Sequence, residues 1–199
     1  MNKDVKLALF AMGLSALVGC SAAGVVASSN PQQKLADADG LLDQGRSLPA
    51  ERLIAEAVQS CTTAADPLCL ADAYRGYGLF FMSSALAGQK DRYMTQGFRD
   101  STATYEQRYV KANEYLEKSR AIYAKAGRFE VVTNLNLNRG FAYELAGDKA
   151  AACQAFAESL AASRENARLK PGAVIQVPAK YGTFERYIGV QRTRVGGGA

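Results

Sequence analysis

The chain has 199 residues, of which 48% are hydrophobic and 22% charged, so it can bury a core and form one domain or two very small ones. It contains no histidine, which excludes Ser-His-Asp and Cys-His catalytic sites and metal sites with histidine ligands. The formal net charge is +5, and the excess lies in residues 164–199, which carry seven basic and two acidic residues.

Residues 1–19 have the features of a secretory signal. Lys3 and Lys6 precede an uncharged apolar run over residues 7–18, which is too short to cross a hydrocarbon core of ~30 Å. The run ends in Leu-Val-Gly before Cys20, and this sequence resembles the lipobox of bacterial lipoproteins. The resemblance implies cleavage before Cys20, a diacylglyceryl thioether on its sulfur and an acyl chain, such as palmitate, on its amino group. The alternative is an ordinary signal peptide that contains a cysteine.

The residues after Cys20 predict a location and a tether. In the lipoproteins that this sequence resembles, an aspartate after the cysteine retains the protein at the inner membrane, whereas this chain has Ser21. We therefore expect an outer-membrane lipoprotein that faces the periplasm. Residues 20–33 are small and polar, which predicts a flexible tether between the lipid and the domain.

From residue 34 onward the pattern is helical. The predicted helices cover residues 34–45, 49–60, 68–86, 104–126, 129–146 and 148–166, and a polar segment over residues 88–103 interrupts them.

The mature chain would keep three cysteines in an oxidising compartment. Cys61 and Cys69 bracket a turn that contains Asp66-Pro67, a spacing suited to a disulfide between two helices. The alternative is two small buried residues. Cys153 lies in an alanine-rich helical stretch and is predicted to be a core residue.

The last predicted hairpin carries a recognisable spacing. Gly140, Tyr143, Ala152, Phe156 and Ser159 stand at offsets that resemble the signature of the tetratricopeptide repeat. A weaker match has Gly78 in its first helix and Ala112, Leu116 and Ser119 in its second, with about 22 extra residues between them. The resemblance implies an all-α fold in which antiparallel hairpins over residues 34–170 pack as a short α-solenoid. An alanine-rich helical bundle is the alternative.

The resemblance also implies a concave groove lined by the first helix of each repeat. The implied groove positions are Asn134, Leu137, Asn138, Phe141, Glu144 and Leu145, together with Asp72, Arg75, Leu79 and Met82. Asparagine is a poor helix residue, and its amide can both donate to and accept from an extended backbone, so Asn134 and Asn138 are candidate peptide contacts. Alternatively, they cap or solvate the helix start. Tyr105 and Tyr109 are further candidate partner-binding residues, with core packing as their alternative.

Residues 171–199 differ from the rest. Pro171-Gly172 stops the helix, residues 173–177 favour a β conformation and residues 184–190 are amphipathic. We expect an irregular basic arm that packs loosely or orders on a partner. Its charge suits an anionic surface, and a solvated tail is the alternative.

The sequence predicts a binding protein rather than an enzyme. It has no nucleophile elbow, phosphate loop or metal-ligand cluster, and Glu114 and Glu117 have lysines beside them for surface ion pairs. We therefore expect no catalysis, cofactor, metal, small-molecule substrate or nucleic acid. The expected function is a membrane-anchored periplasmic scaffold or adaptor that binds another envelope protein, similar in architecture to accessory factors of secretion systems and pili. The alternative is a structural lipoprotein whose basic arm contacts peptidoglycan or anionic lipid.

Overall fold

The computed structural model describes residues 28–196, which form eight α-helices and contain no strand. The helices are α1 (Pro31–Asp43), α2 (Ser47–Thr63), α3 (Pro67–Met82), α4 (Lys90–Gln96), α5 (Arg108–Lys125), α6 (Phe129–Leu145), α7 (Lys149–Leu169) and α8 (Phe184–Arg194). Short 3₁₀ helices cover Ser84–Gln89 and Ala179–Tyr181. The predicted all-α class is confirmed. The predicted lipidation site Cys20 and most of the tether lie outside the described residues.

Local side-chain chemistry sets the helix boundaries. Asn30 and Asp66 accept hydrogen bonds from free backbone N–H groups of α1 and α3, and a proline follows each of them at the first helical position. Asp148 accepts from the backbone N–H of Ala151 at 2.9 Å and so caps α7. Gly147, at φ 85°, takes the left-handed conformation that ends α6 and permits a tight turn into α7.

Three antiparallel hairpins, α1–α2, α3–α5 and α6–α7, stack in chain order as a repeat-like solenoid. The α6–α7 spacing recurs in the first hairpin, where five buried residues occupy the same offsets: Ala38, Leu41, Ala50, Ile54 and Ala57. Close approach explains the glycines of the other two hairpins. A Cβ added at Gly140 would lie 2.5 Å from Cδ1 of Phe156, and one added at Gly78 would lie 2.6 Å from Cγ of Leu116.

The segment between α3 and α5 carries part of the core. The rings of Tyr93 and Phe98 stack with their centroids 4.3 Å apart, and Phe98 meets Phe81 edge to face at 5.1 Å. Both residues are buried, as is Phe80 beside them. The segment is therefore polar and broken, as predicted, but two of its aromatic residues anchor it to α3.

The C-terminal segment ends in an ordered helix. Residues 170–183 are irregular apart from the short 3₁₀ helix Ala179–Tyr181, and they contain no strand where residues 173–177 favoured one. Phe184 and Ile188 of α8 are buried in a cluster with Ala152 and Phe156 of the last hairpin. The amphipathic pattern at residues 184–190 thus packs α8 onto α7 within the same chain.

Candidate functional site

A groove runs across the first helices of the three hairpins. It has a volume of about 350 Å³ and is lined from α1, α3 and α6 by Gln32, Leu35, Ala36, Asp39, Asp72, Arg75, Gly76, Leu79, Asn134 and Asn138. The three helices share this face because each begins a hairpin, and α3 contacts both α1 and α6.

Two predicted amides lie in the groove, one turn apart on α6. The Nδ2 of Asn134 donates to the backbone oxygen of Glu130 at 3.3 Å, which leaves its other groups for solvent. The Asn138 side chain makes no hydrogen bond within residues 28–196. A side chain with free donors and acceptors can bind the polar backbone of a bound segment.

The α3 and α1 portions of the groove carry charges. Oδ1 of Asp72 accepts a hydrogen bond from the Tyr123 hydroxyl at 2.6 Å and lies 3.7 Å from Nη2 of Arg75. Asp39 of α1 also faces the groove, and partial burial raises its pKa while the Arg75 guanidinium opposes that shift. The groove therefore combines apolar, amide and charged groups within one surface.

The other predicted groove positions on α6 differ in what they contact. Phe141 does not line the groove but packs edge to face on Phe156 at 5.3 Å. Arg194 of α8 lies over the Phe141 ring and donates to both carboxylate oxygens of Glu144, at 2.5 and 2.7 Å. Leu145 is half exposed at the end of α6. The Arg194 side chain thus covers this face at Phe141 and Glu144.

The two candidate tyrosines surround an arginine away from the groove. The Arg108 guanidinium lies 4.3 Å from the ring centroid of Tyr105 and 4.2 Å from that of Tyr109. Tyr105 is buried, and the hydroxyl of half-buried Tyr109 accepts a hydrogen bond from Nη2 of Arg108 at 2.8 Å. Tyr105 is therefore a core packing residue, which was the alternative to a partner-binding role.

The sequence did not indicate the buried carboxylate of Glu51 in α2. Its Oε1 accepts from the backbone N–H of Arg99 at 2.6 Å, and burial raises its pKa. Nearby, Oδ2 of Asp100 accepts from the Tyr115 hydroxyl at 2.9 Å. Burial alone would raise the pKa of Asp100, but hydrogen bonds from Thr102 and Tyr115 outweigh it and lower that pKa. These carboxylates have backbone and side-chain partners, which is typical of groups that hold a loop in place.

The cysteines take two different positions. Cys61 and Cys69 form a disulfide between α2 and α3, with their Cα atoms 5.4 Å apart. Cys153 is a free thiol, half-buried beside the cluster of Ala152 and Phe156. Within residues 28–196 no group of His, Cys, Asp and Glu side chains could hold a metal ion. No helix in that part of the chain is long and apolar enough to cross a membrane.

A scan against protein-family models finds no match to the chain, and searches of the curated proteins and of the solved structures find none either. The lipobox and the tetratricopeptide resemblance therefore stay predictions from the residues that carry them.

Proposed function

We propose that the protein is a membrane-anchored periplasmic adaptor lipoprotein whose groove binds an extended segment of another envelope protein. The groove across α1, α3 and α6 is the observation that carries this proposal. It is long enough to involve all three hairpins, and it presents the amide of Asn138 with no partner among the described residues. The anchor rests on the lipobox at Cys20.

The mixed character of the groove suits a peptide better than a small molecule. Leu35 and Leu79 offer apolar contact, Asn134 and Asn138 offer amides to a backbone, and Asp39 offers a charge to a basic side chain. The groove crosses the first helices of all three hairpins and is not an enclosed cavity. An extended segment can therefore lie in it without the enclosed cavity that small ligands generally occupy.

Binding in the groove can be tested by co-purification from the native envelope. The lipidated protein is cross-linked in cells and purified as wild type, as Asn138→Ala and as Gln59→Ala. Gln59 is a matched control because it is an exposed side-chain amide on α2 outside the groove. We expect one or a few proteins to co-purify with wild type and with Gln59→Ala but not with Asn138→Ala, at low and high salt alike. Equal recovery with all three proteins would contradict binding through the groove.

Point variants are preferable to truncation here. Removing residues 171–199 would uncover Phe156, which is fully buried beneath α8. A loss of partner on truncation could then reflect damage to the last hairpin rather than a lost contact.

The anchor has its own test. Wild type and Cys20→Ala are labelled with palmitate in cells and then fractionated. We expect label and membrane retention with wild type and neither with Cys20→Ala. Unlabelled wild type would overturn the lipoprotein assignment and leave binding in the groove untouched.

A further inference from the structure

The outward face of α8 forms a second recess, separate from the groove. It is shallow, has a volume of about 550 Å³, and is lined by Arg186, Gly189, Val190, Thr193 and Arg194. Val190 is 43% exposed, and a Cβ added at Gly189 would meet nothing within 4 Å. Within residues 28–196, nothing covers this face.

The same face of α6 is covered by another helix. Helices α6 and α8 share a register: Gly140 comes five residues after buried Leu135, and Gly189 comes five residues after buried Phe184. In this register Leu137 corresponds to Arg186, and Phe141 corresponds to Val190. On α6 that helix is α7: its Phe156 fills the space beside Gly140 and packs edge to face on Phe141 at 5.3 Å, and Leu137 packs against the same cluster. The recess on α8 is therefore the surface on which a further helix of the stack would lie.

The positive charge of the recess favours a helix that carries acidic side chains. Arg186, which lines the recess, forms no ion pair within residues 28–196, and the only acidic residue of α8 is Glu185. An arginine of α8 already pairs with a carboxylate of another helix within the chain. Arg194 forms an ion pair with Glu144 of α6 and also lies over the Phe141 ring. A second copy of the chain would place Arg186 and Arg194 against their own equivalents, which like-charge repulsion disfavours.

We propose that the outward face of α8 is a docking site for an acidic amphipathic helix of a partner protein. Such a helix would place an apolar side chain over Val190 and Gly189 and a carboxylate beside Arg186. It would pack on α8 as α7 packs on α6, and it would extend the solenoid by one helix. This surface is independent of the groove and would allow the adaptor to hold two proteins at once.

The test uses two synthetic helical peptides and the full-length chain in detergent. Both peptides carry the same leucine face at helical spacing, flanked by glutamates in one and by lysines in the other. Fluorescence anisotropy measures the affinity of each peptide. We expect the glutamate peptide to bind at least about tenfold more tightly than the lysine peptide, and Arg186→Glu to reverse that preference.

Matched variants locate the binding. We expect Val190→Glu to weaken the glutamate peptide at least about tenfold, because it adds a like charge at the apolar contact. Val174→Glu makes the same change at a side chain that is 82% exposed outside α8, and it should leave the affinity unchanged. Asn138→Ala should also leave it unchanged, which separates this surface from the groove.

Three outcomes would overturn the proposal. They are failure of both peptides to bind, equal binding of the two peptides, and equal loss with Val190→Glu and Val174→Glu. Vesicles that contain phosphatidylglycerol provide the remaining comparison. If they bind wild type but not Val190→Glu while neither peptide binds, the face contacts lipid rather than a protein helix.

Discussion

Replacement of Gly140 by alanine tests how closely α6 and α7 approach. Alanine is a better helix residue than glycine by roughly 0.5–1 kcal/mol, so the change should be stabilising wherever space permits. At Gly140 the new Cβ would lie 2.5 Å from Cδ1 of Phe156, whose side chain is fully buried and cannot move aside freely. Overpacking of this kind costs roughly 1–3 kcal/mol. We therefore expect Gly140→Ala to lower the free energy of unfolding.

Gly40 provides the matched control. It lies in α1, and an added Cβ would meet nothing within 4 Å. Gly40→Ala should raise the free energy of unfolding by about 0.5–1 kcal/mol. Urea unfolding followed by circular dichroism measures both variants. If the two variants have the same free energy of unfolding, α6 and α7 do not approach each other as closely at Gly140 as described.

A double variant tests the same contact from the other side. The first hairpin has Ala38 and Ile54 at the offsets of Gly140 and Phe156. Phe156→Ile alone should cost roughly 1–3 kcal/mol through the cavity that it leaves. In the double variant the added Cβ of alanine fills part of the space that the smaller isoleucine leaves. The double variant should therefore lower the free energy of unfolding by at least about 1 kcal/mol less than the sum of the two single changes. Additivity within about 0.5 kcal/mol would refute direct packing of these side chains.

Three further changes test other contacts. Burial raises the pKa of Glu51, so the stability that its protonated form contributes is present below pH 4.5 and is lost as the pH rises through the folded-state value. Glu51→Gln keeps the acceptor oxygen and should match wild type in urea unfolding at pH 4 but exceed it at pH 8; equal stability at both would contradict this. Removal of the disulfide by Cys61→Ala with Cys69→Ala should cost about 2.5 kcal/mol on the chain-entropy model, and reduction of wild type should reproduce that loss. Arg194→Ala should cost no more than about 1 kcal/mol in thermal unfolding, because its ion pair with Glu144 is largely exposed; a much larger loss would show that α8 depends on that pair.

The hairpins were predictable from sequence because their close contacts depend on spacing. Gly140 and Phe156 indicated the α6–α7 register, and the structure places them in contact. The first hairpin was also located from sequence. That it has the same residue spacing as the last hairpin was not recognised, because Ala38 and Ile54 are ordinary helix residues that carry no distinctive signal. For the same reason the contribution of α1 to the groove, including Asp39, was missed.

Contacts between distant residues could not be predicted in this way. Tyr93 and Phe98 lie in a segment that is polar on average, and their burial depends on α3 and on the acceptor of Glu51. Arg139 of α6 is another example. Its guanidinium lies 3.3 Å from a carboxylate oxygen of Glu117 and 3.0 Å from one of Glu158, so it links α5, α6 and α7. Such a bridge requires partners from two other helices, and local periodicity does not report them.

Part of the groove was predictable and part was not. Asn134 and Asn138 were identified from their unusual place in a helix, and both line it. Phe141 and Glu144 follow the same periodicity, but the Arg194 side chain of α8 lies over both. The periodicity of one helix identifies a face, whereas the occupant of that face depends on a segment about fifty residues later in the chain.

The long segment inside the second hairpin has a consequence for the order of folding. Helices α6 and α7 are joined by three residues, 146–148, whereas α3 and α5 are separated by residues 83–107. Closing the longer loop costs more chain entropy before Leu116 can reach Gly78. We therefore expect α6 and α7 to pair early and the α3–α5 contact to form late, in the manner of repeat proteins that nucleate at one end and propagate. Phe156→Leu should then slow refolding, whereas Leu116→Ala should mainly accelerate unfolding.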